Sequence, residues 1–254
     1  MNNKKIYKNE YEIIFGIHPI LEAIHSGHNI EKIFIKQNTK ISSHKDLRQL
    51  AEEKNIPLQY VPEEKIKNYT KSNNTQGVIA IISKIEYHNI ENIIPIIYEK
   101  GQNPFLVILD SITDVRNLGA IARTCECAGV HSIVIPTKNT APVNSVAIKS
   151  SAGALTKIPI CRVNNLKKTI EYLKKTGIKC IASFEKGDKN YFEIDYNMPI
   201  ALIFGSEEKG INKEVLKIVD ETIKIPMHGS IQSLNVSVAA GIVIFEALKN
   251  KLIY

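Results

Sequence analysis

Five apolar residues stand in a row at Phe105-Leu106-Val107-Ile108-Leu109. An uninterrupted run of this length is typical of a parallel strand that is buried on both faces. A polar loop beginning at Asp110 follows, and the sequence then predicts a helix over residues 114–129. A buried strand that leads through a short loop into a helix is the repeating unit of an α/β fold with a mainly parallel sheet.

The same alternation of strands and helices continues to the end of the chain. We predict strands over residues 131–135, 158–163, 178–184, 200–204 and 222–225. We predict helices over residues 143–155, 166–175, 213–219 and 234–252. In sheets of this kind, ligands bind in the loops beyond the carboxyl ends of the strands, so those loops are the candidate sites.

The earlier part of the chain, residues 1–84, is predicted to form a small α/β unit of its own. Helices are expected over 18–25, 43–54 and 63–69, with Ser42 or Ser43 capping the second of them. Strands are expected over 32–35, 58–61 and 77–82. Residues 90–100 are predicted as either a helix or a linker, interrupted by Pro95, and a turn near residue 101 follows. The predicted domains are therefore 1–86 and 104–254, joined by a linker over 87–103.

The charge of the chain points to a polyanionic partner. The formal net charge is +7 and the isoelectric point is about 9.0. Such a balance favours nucleic acid first, although a lysine-rich composition without any partner is an equal alternative. Only four basic residues are arginines, and two of these, Arg116 and Arg123, lie within one short segment.

Composition excludes several other classes of protein. Hydrophobic residues make up 44% of the chain, enough for a packed core and far from a disordered or collagen-like composition. No apolar run approaches the roughly 20 residues that a membrane span needs, and the polar first ten residues do not resemble a secretory signal. The four cysteines are neither dense nor paired by spacing, so we expect a reducing cytoplasm and no metal site.

Three loops at predicted strand ends carry the residues of chemical interest. The first loop, residues 110–124, contains Asn117, Arg116 and Arg123, and the two arginines are about two helical turns apart on one face. Small residues at 119, 120 and 122 would let another backbone or a ligand approach closely. A surface helix with solvated arginines is the alternative interpretation.

The other two loops contain small and polar residues. The second loop, residues 205–210, is a glycine-containing turn that permits close backbone contact with a ligand, but it is neither a P-loop nor a dinucleotide fingerprint. The third loop, residues 225–241, places small polar residues at a helix start, where Ser233 or Asn235 could act as a cap. A plain turn and a plain helix cap are the alternatives.

Together the three loops resemble the three motifs of the SpoU (TrmH-type) RNA ribose 2′-O-methyltransferases, in the SPOUT superfamily. The match runs over about 105–248, and its most specific part is Ser233-Leu234-Asn235-Val236-Ser237. The resemblance implies an α/β C-terminal domain with a deep trefoil knot. Residues 15–23 and 76–80 also resemble the RNA substrate-binding domain, similar to a ribosomal protein, that the rRNA branch of this family carries.

The resemblance implies S-adenosylmethionine as the methyl donor, with no metal. It assigns donor binding to Gly205, Ile225, Leu234, Met227 and Ser233. It assigns catalysis to Arg123, Asn117, Glu207 and Asn235. The family's proposed general base corresponds to Arg123. Because a guanidinium holds its proton with a pKa above about 12, orientation of the substrate phosphate or ribose by Arg123 stays an equal alternative.

The implied function is methyl transfer to the ribose 2′-oxygen of a nucleotide, guanosine by the resemblance, in large-subunit (23S) ribosomal RNA. The implied enzyme is a cytoplasmic homodimer without a membrane partner. A tRNA ribose methyltransferase is the nearest alternative, and a catalytically silent RNA-binding factor for ribosome assembly is an alternative of a different class. A nucleotide-dependent oxidoreductase is disfavoured because the glycine fingerprint is absent.

Overall fold

The computed structural model describes residues 12–39, 44–70, 75–206, 208–231 and 233–253. The chain divides into two compact units, Met1–Ile85 and Glu86–Tyr254. Ser42 and Ser43, the predicted caps of the helix over 43–54, lie outside the described residues, as does Glu207.

The first unit is a four-stranded sheet with helices. Its strands are β1 (Ile13–Phe15), β2 (Ile30–Lys36), β3 (Leu58–Val61) and β4 (Val78–Ile82), and its helices are α1 (Ile17–His25), α2 (Lys45–Glu53) and α3 (Glu63–Lys67). The sheet order is β1-β4-β2-β3, with β2 and β3 parallel and the other pairs antiparallel. The sheet has an apolar cluster on each of its two faces, because successive side chains of β2 and β4 point to opposite faces and are buried on both. The sequence missed β1, which is only three residues long.

The second unit contains a sheet of eight strands, all of them parallel. Its elements are β5 (Tyr87–His88), α4 (Ile90–Glu99), β6 (Phe105–Asp110), α5 (Val115–Cys127), β7 (Ser132–Pro136), α6 (Ser145–Ser150), β8 (Ile160–Val163), α7 (Leu166–Lys175), β9 (Lys179–Ser183), β10 (Lys189–Asn190), β11 (Ile200–Gly205), α8 (Lys213–Leu216), β12 (Glu221–Lys224) and α9 (Val236–Ile253). The strand order is β10-β12-β9-β11-β6-β7-β8-β5. Strand β6 is buried at every residue, as its apolar run predicts. The trefoil knot stays a prediction.

The predicted linker over 87–103 belongs to the second unit. Strand β5 pairs with β8, and α4 buries Ile90, Ile94 and Ile97 in the main apolar cluster. These three side chains lie on one face of the helix because their spacing is four and three residues. Of the two turn signals, the turn near residue 101 follows the end of this core helix, whereas Pro95 lies in its interior. The helix interpretation of residues 90–100 is therefore the one that the structure supports.

The predicted helix over 143–155 is shorter than expected. Helix α6 ends at Ser150, and a separate 3-10 helix covers Ala154–Thr156. Ala152 and Gly153 between them have φ angles of 49° and 86°. This left-handed backbone cannot continue an α-helix, so two consecutive residues break the segment.

Gly119 is the point of closest approach between α5 and α6. A Cβ atom at this position would lie 2.5 Å from Cβ of Ser150 and 2.8 Å from the carbonyl oxygen of Ala147. The small residues of the first loop thus admit a neighbouring backbone, one of the two possibilities that the sequence left open. The contact holds the start of α5 against α6.

We expect Gly119→Ala to lower the free energy of unfolding by about 2 kcal/mol, because one of the two helices must shift to admit the methyl group. Gly241→Ala is the matched control, since Gly241 lies in α9 with no heavy atom within 4 Å of an added Cβ. That control should raise the stability by up to about 1 kcal/mol through helix propensity. Denaturant unfolding measures both variants, and equal stability of Gly119→Ala and the native chain would contradict the packing argument.

Candidate active site

The three loops meet the carboxyl edge of the parallel sheet. Gly205, the last residue of β11, pairs in register with Asp110, the last residue of β6. The third loop leaves the sheet at Ile225, directly after β12. Because parallel strands in one sheet end at the same edge, all three loops lie on the side where α/β folds bind ligands.

Asp114 determines where α5 begins. Its Oδ1 accepts hydrogen bonds from the backbone N–H groups of Arg116, at 2.7 Å, and Asn117, at 3.0 Å. This is an N-cap, which satisfies donors that the first turn of a helix leaves unpaired. The cap places the half-buried Asn117 in the first turn of α5.

Asn117 and Asn235 meet although 118 residues separate them in the chain. Nδ2 of Asn235 donates to Oδ1 of Asn117 at 3.1 Å. Oδ1 of Asn235 accepts from the backbone N–H of Ser237 at 2.9 Å and from its hydroxyl at 2.5 Å. The side chain of Asn235 therefore accepts from a backbone N–H at the start of α9 and also contacts Asn117 of α5. The capping role and a role in the site are compatible, so they are not alternatives.

Arg123 is exposed and follows Asn117 by six residues on the same helix. Ideal helix geometry offsets their backbone positions by about 9 Å along the axis and roughly 120° around it. Within the described part of the chain the guanidinium of Arg123 makes no hydrogen bond or ion pair. The structure thus brings together two of the four predicted catalytic residues, Asn117 and Asn235, and does not describe Glu207.

The second loop is a tight turn folded on itself. The backbone N–H of Gly210 donates to the carbonyl oxygen of Ser206 at 2.8 Å, and that of Lys209 donates to Oγ of Ser206 at 3.1 Å. A Cβ atom at Gly205 would lie 2.2 Å from the carbonyl carbon of Gly210. Gly205 is therefore required by the turn, and the same lack of a side chain keeps its backbone open to close approach.

The remaining predicted donor-binding residues lie along the third loop. Ile225 and Met227 are half-buried, whereas Ser233 and Leu234 are exposed. Apolar side chains that stay open at a strand end suit the faces of a heteroaromatic ring, and nearby backbone groups supply polar contacts to its edge. The described residues of this loop are therefore compatible with a nucleoside-containing cofactor such as S-adenosylmethionine.

Asp110 also belongs to this edge, although the sequence did not single it out. The residue is 5% exposed, its Oδ2 accepts from the backbone N–H of Asn212 at 2.7 Å, and its Oδ1 accepts from the hydroxyl of Ser111 at 3.0 Å. The available signal was an acidic residue placed directly after five buried apolar residues, since a buried charge needs partners.

Among the described residues, no helix combines the length and the apolar character needed to cross a bilayer. The histidine, cysteine and carboxylate side chains of the same residues form no group of three or more that could hold a metal ion.

A parallel α/β unit with polar loops at its carboxyl edge defines a class of protein that binds nucleotide-like ligands there. Comparison with known families identifies the class further. The model of the SpoU rRNA methylase family matches residues 104–245. The model of the RNA 2′-O ribose methyltransferase substrate-binding domain matches residues 13–88. The chain belongs to the SpoU/TrmH family of RNA methyltransferases, and the resemblance seen in its sequence is confirmed.

Relatives of similar length support this membership. YacO of Bacillus subtilis, assigned to the TrmH family of tRNA/rRNA methyltransferases, is 34% identical over 242 residues, which are 95% of this chain and 97% of the relative. A Staphylococcus haemolyticus protein with the same family assignment is 36% identical over 239 residues, 94% of this chain and 96% of its own length.

Solved structures share the fold. The SpoU methyltransferase AviRb of Streptomyces viridochromogenes, in complex with AdoMet, aligns with a TM-score of 0.61 at 22% identity, covering 100% of this chain and 95% of its own. The AdoMet-bound rRNA methyltransferase of Sinorhizobium meliloti aligns with a TM-score of 0.60 at 25% identity, covering 94% and 87%. The A. aeolicus TrmH/SpoU tRNA modifying enzyme aligns with a TM-score of 0.55 at 32% identity, covering 59% and 77%.

Proposed function

We propose that this RNA 2′-O-ribose methyltransferase uses S-adenosylmethionine to methylate a guanosine of large-subunit (23S) ribosomal RNA. The observation that carries the proposal is the hydrogen bond between Asn117 and Asn235, which joins two of the family's motifs at the edge where Gly205 ends β11. Two helices that are distant in sequence thereby present amide groups at one place. Amides of this kind can hold a ribose hydroxyl in a fixed direction.

The donor would be held by Gly205, Ile225, Leu234, Met227 and Ser233. The open backbone at Gly205 and the partly exposed apolar side chains of the third loop are the features that fit it. The sulfonium of S-adenosylmethionine supplies an activated methyl group, so the protein needs no nucleophile of its own. The task of the chain is to align the ribose 2′-oxygen and to keep the loops in position.

Arg123 orients the substrate in this proposal, and Asn117, Asn235 and Glu207 complete the catalytic cluster. A planar guanidinium offers five donors in a rigid fork that matches phosphate oxygens. A guanidinium keeps its proton in proteins, so orientation is the role we favour over proton abstraction.

A homodimer would bring Arg123 of one subunit to the donor site of the other. Helix α9 carries no charged residue over 236–245, and it exposes Val238 and Phe245, seven residues apart on one face. A helix that is apolar on its exposed face as well as on its buried one is typical of an interface. The side chain of Arg123 is exposed, so it is accessible to a partner subunit.

The two units have different tasks in this proposal. The unit at residues 13–88 binds the RNA, and the unit at residues 104–245 performs the transfer. Ribosomal RNA is favoured over tRNA because the rRNA methyltransferase of Sinorhizobium meliloti aligns over 94% of the chain, whereas the A. aeolicus tRNA modifying enzyme aligns over 59%. With ribosomal RNA as substrate, the enzyme acts in the cytoplasm, where free thiols such as the four cysteines persist.

Labelled S-adenosylmethionine tests this proposal directly. The full chain is incubated with unmodified ribosomal RNA and, in parallel, with unmodified tRNA, and any methyl group is mapped by resistance to alkaline cleavage. We expect one protected position, a guanosine of 23S RNA. Labelling of tRNA alone would establish the alternative substrate. Donor binding without transfer to either RNA, or to precursor ribosomal particles, would favour a silent assembly factor.

A further inference from the structure

We infer that Asp110 is a positioning residue that anchors the second loop, and therefore the donor site, to the end of β6. The inference rests on the proposed function, because its consequence is a change in affinity for S-adenosylmethionine. Its structural part concerns only the described residues 205, 206 and 208–212.

The anchor joins both ends of the loop. Gly205, where the loop begins, pairs with Asp110 in the sheet. Asn212, two residues beyond the end of the loop at Gly210, donates its backbone N–H to the carboxylate of the same aspartate at 2.7 Å. One residue of β6 thus contacts the chain on both sides of the loop. Asn212 in turn caps α8 by accepting from the N–H of Glu214 at 2.9 Å. The loop is consequently tied to a strand on one side and a helix on the other.

The carboxylate is fitted to this task by its burial. It is 5% exposed, and hydrogen bonds from backbone N–H to an ionised acceptor are shorter and about twice as strong as neutral ones. Its second oxygen accepts from the hydroxyl of Ser111. The backbone of Ser111 has a φ angle of 62°. A left-handed backbone at a non-glycine residue is uncommon and persists only where surrounding contacts hold it. The carboxylate therefore has a defined partner on each oxygen.

Loss of the hydrogen bond between Asp110 and Asn212 would affect donor binding by moving the second loop. The turn is tightly packed, because a Cβ atom at Gly205 would overlap the backbone of Gly210. Movement of Asn212 therefore shifts the neighbouring backbone that the donor is proposed to contact. A small displacement of positioning groups can change binding and turnover by one or two orders of magnitude.

Asp110→Ala and Asp110→Asn test the anchor, with Asp220→Ala as the matched control. Asp220 also accepts from a backbone N–H, that of Cys180 at 2.8 Å, but Cys180 lies near the amino end of β9, at the opposite edge of the sheet. In Asp110→Asn, the amide oxygen can still accept from the backbone N–H of Asn212. The amide nitrogen can donate to the hydroxyl oxygen of Ser111, which then acts as the acceptor.

Calorimetric titration with S-adenosylmethionine, at a temperature where circular dichroism shows each variant folded, gives the main result. We expect Asp110→Ala to weaken donor binding at least about tenfold, Asp110→Asn to stay within about threefold of the native chain, and Asp220→Ala to stay within about twofold. Unchanged binding by folded Asp110→Ala, or an equal loss in Asp220→Ala, would overturn the inference.

Amide hydrogen exchange separates this inference from the proposed function, because it needs no donor. We expect faster exchange at residues 208–212 in Asp110→Ala than in the native chain, and native rates there in Asp220→Ala. If Asp110→Ala exchanges faster at residues 208–212 but the native chain binds no S-adenosylmethionine, the structural role of Asp110 is supported and the proposed function is rejected. Native exchange rates would reject the anchor itself.

A second pair of variants covers the case in which Asp110→Ala does not fold. Asn212→Pro removes the backbone donor at a φ angle of −55°, which proline can adopt, whereas Asn212→Ala keeps that donor and removes only the helix cap. Weaker donor binding in the proline variant alone is expected. Equal binding by the two variants would count against the anchor.

Discussion

We expect Arg123→Lys to lower the turnover number of methyl transfer about 100-fold or more, with the affinity for S-adenosylmethionine unchanged. Lysine retains the charge and loses the planar fork that can hold two substrate oxygens at once. Removal of one well-placed donor of this kind typically costs two to three orders of magnitude in rate. Single-turnover kinetics on the RNA substrate, beside calorimetric titration of the donor, measures the two quantities separately.

Arg116→Lys is the matched control for this effect. Arg116 is also exposed and lies on the same face of α5, seven residues earlier. A general contribution of arginine charge to RNA affinity would be similar at the two positions, so we expect Arg116→Lys to turn over within about threefold of the native enzyme. Near-native turnover by Arg123→Lys would refute any role that depends on the geometry of the guanidinium.

The position of Arg123 makes a further test possible in mixed dimers. If this residue serves the partner subunit, a dimer of one Arg123→Lys chain and one Asn235→Ala chain contains one fully native site. Mixing the two inactive variants should then restore up to about a quarter of the native activity, because half of the dimers are mixed and each has one intact site of two. No recovery after verified exchange of subunits would place Arg123 and Asn235 in the same chain's site.

Gly205→Ala is expected to weaken donor binding about 100-fold and to lower stability. The added Cβ would lie 2.2 Å from the carbonyl carbon and 2.4 Å from the carbonyl oxygen of Gly210. Backbone atoms cannot rotate away as the end of a side chain can, so the whole turn must move. Movement on the scale of 1 Å is enough to cost about two orders of magnitude at a positioned site. Calorimetric titration with S-adenosylmethionine measures the loss.

Leu173→Ala separates this effect from general destabilisation. Leu173 is fully buried on α7, in the main apolar cluster, and truncation of a buried leucine costs about 2–5 kcal/mol. At a temperature where both variants are folded, we expect the leucine variant to bind the donor within about twofold of the native chain. Native donor affinity in Gly205→Ala would show that the turn can accept a side chain.

Much of the fold follows from local pattern. The buried strand β6 was evident from its apolar run, and α7 begins and ends within the range that the sequence predicts. The short strands β1, β5 and β10 were missed, because segments of two or three residues carry too little periodicity to predict. Residues 87–103 were interpreted as a linker because Pro95 and Gly101 are turn signals, and only packing shows that α4 is part of the core.

The candidate site is less completely visible in the sequence. Motif resemblance identified Asn117 and Asn235, and the structure adds that they are hydrogen-bonded to each other. Asp110 was not identified, since an isolated aspartate after a strand has no local feature that distinguishes an anchor from a solvated charge. Its role depends on Asn212, which lies 102 residues further along the chain.

The α/β class, the two units and the family follow from the sequence, because each of these depends on local periodicity or on contiguous motifs. Which residues meet depends on the tertiary structure: the asparagine pair between α5 and α9, the close contact of Gly119 with α6, and the hydrogen bond from Asn212 to the buried Asp110. The physical reason is that parallel strands bring loops from distant parts of the chain to one edge, and spacing along a sequence does not report distances across that edge.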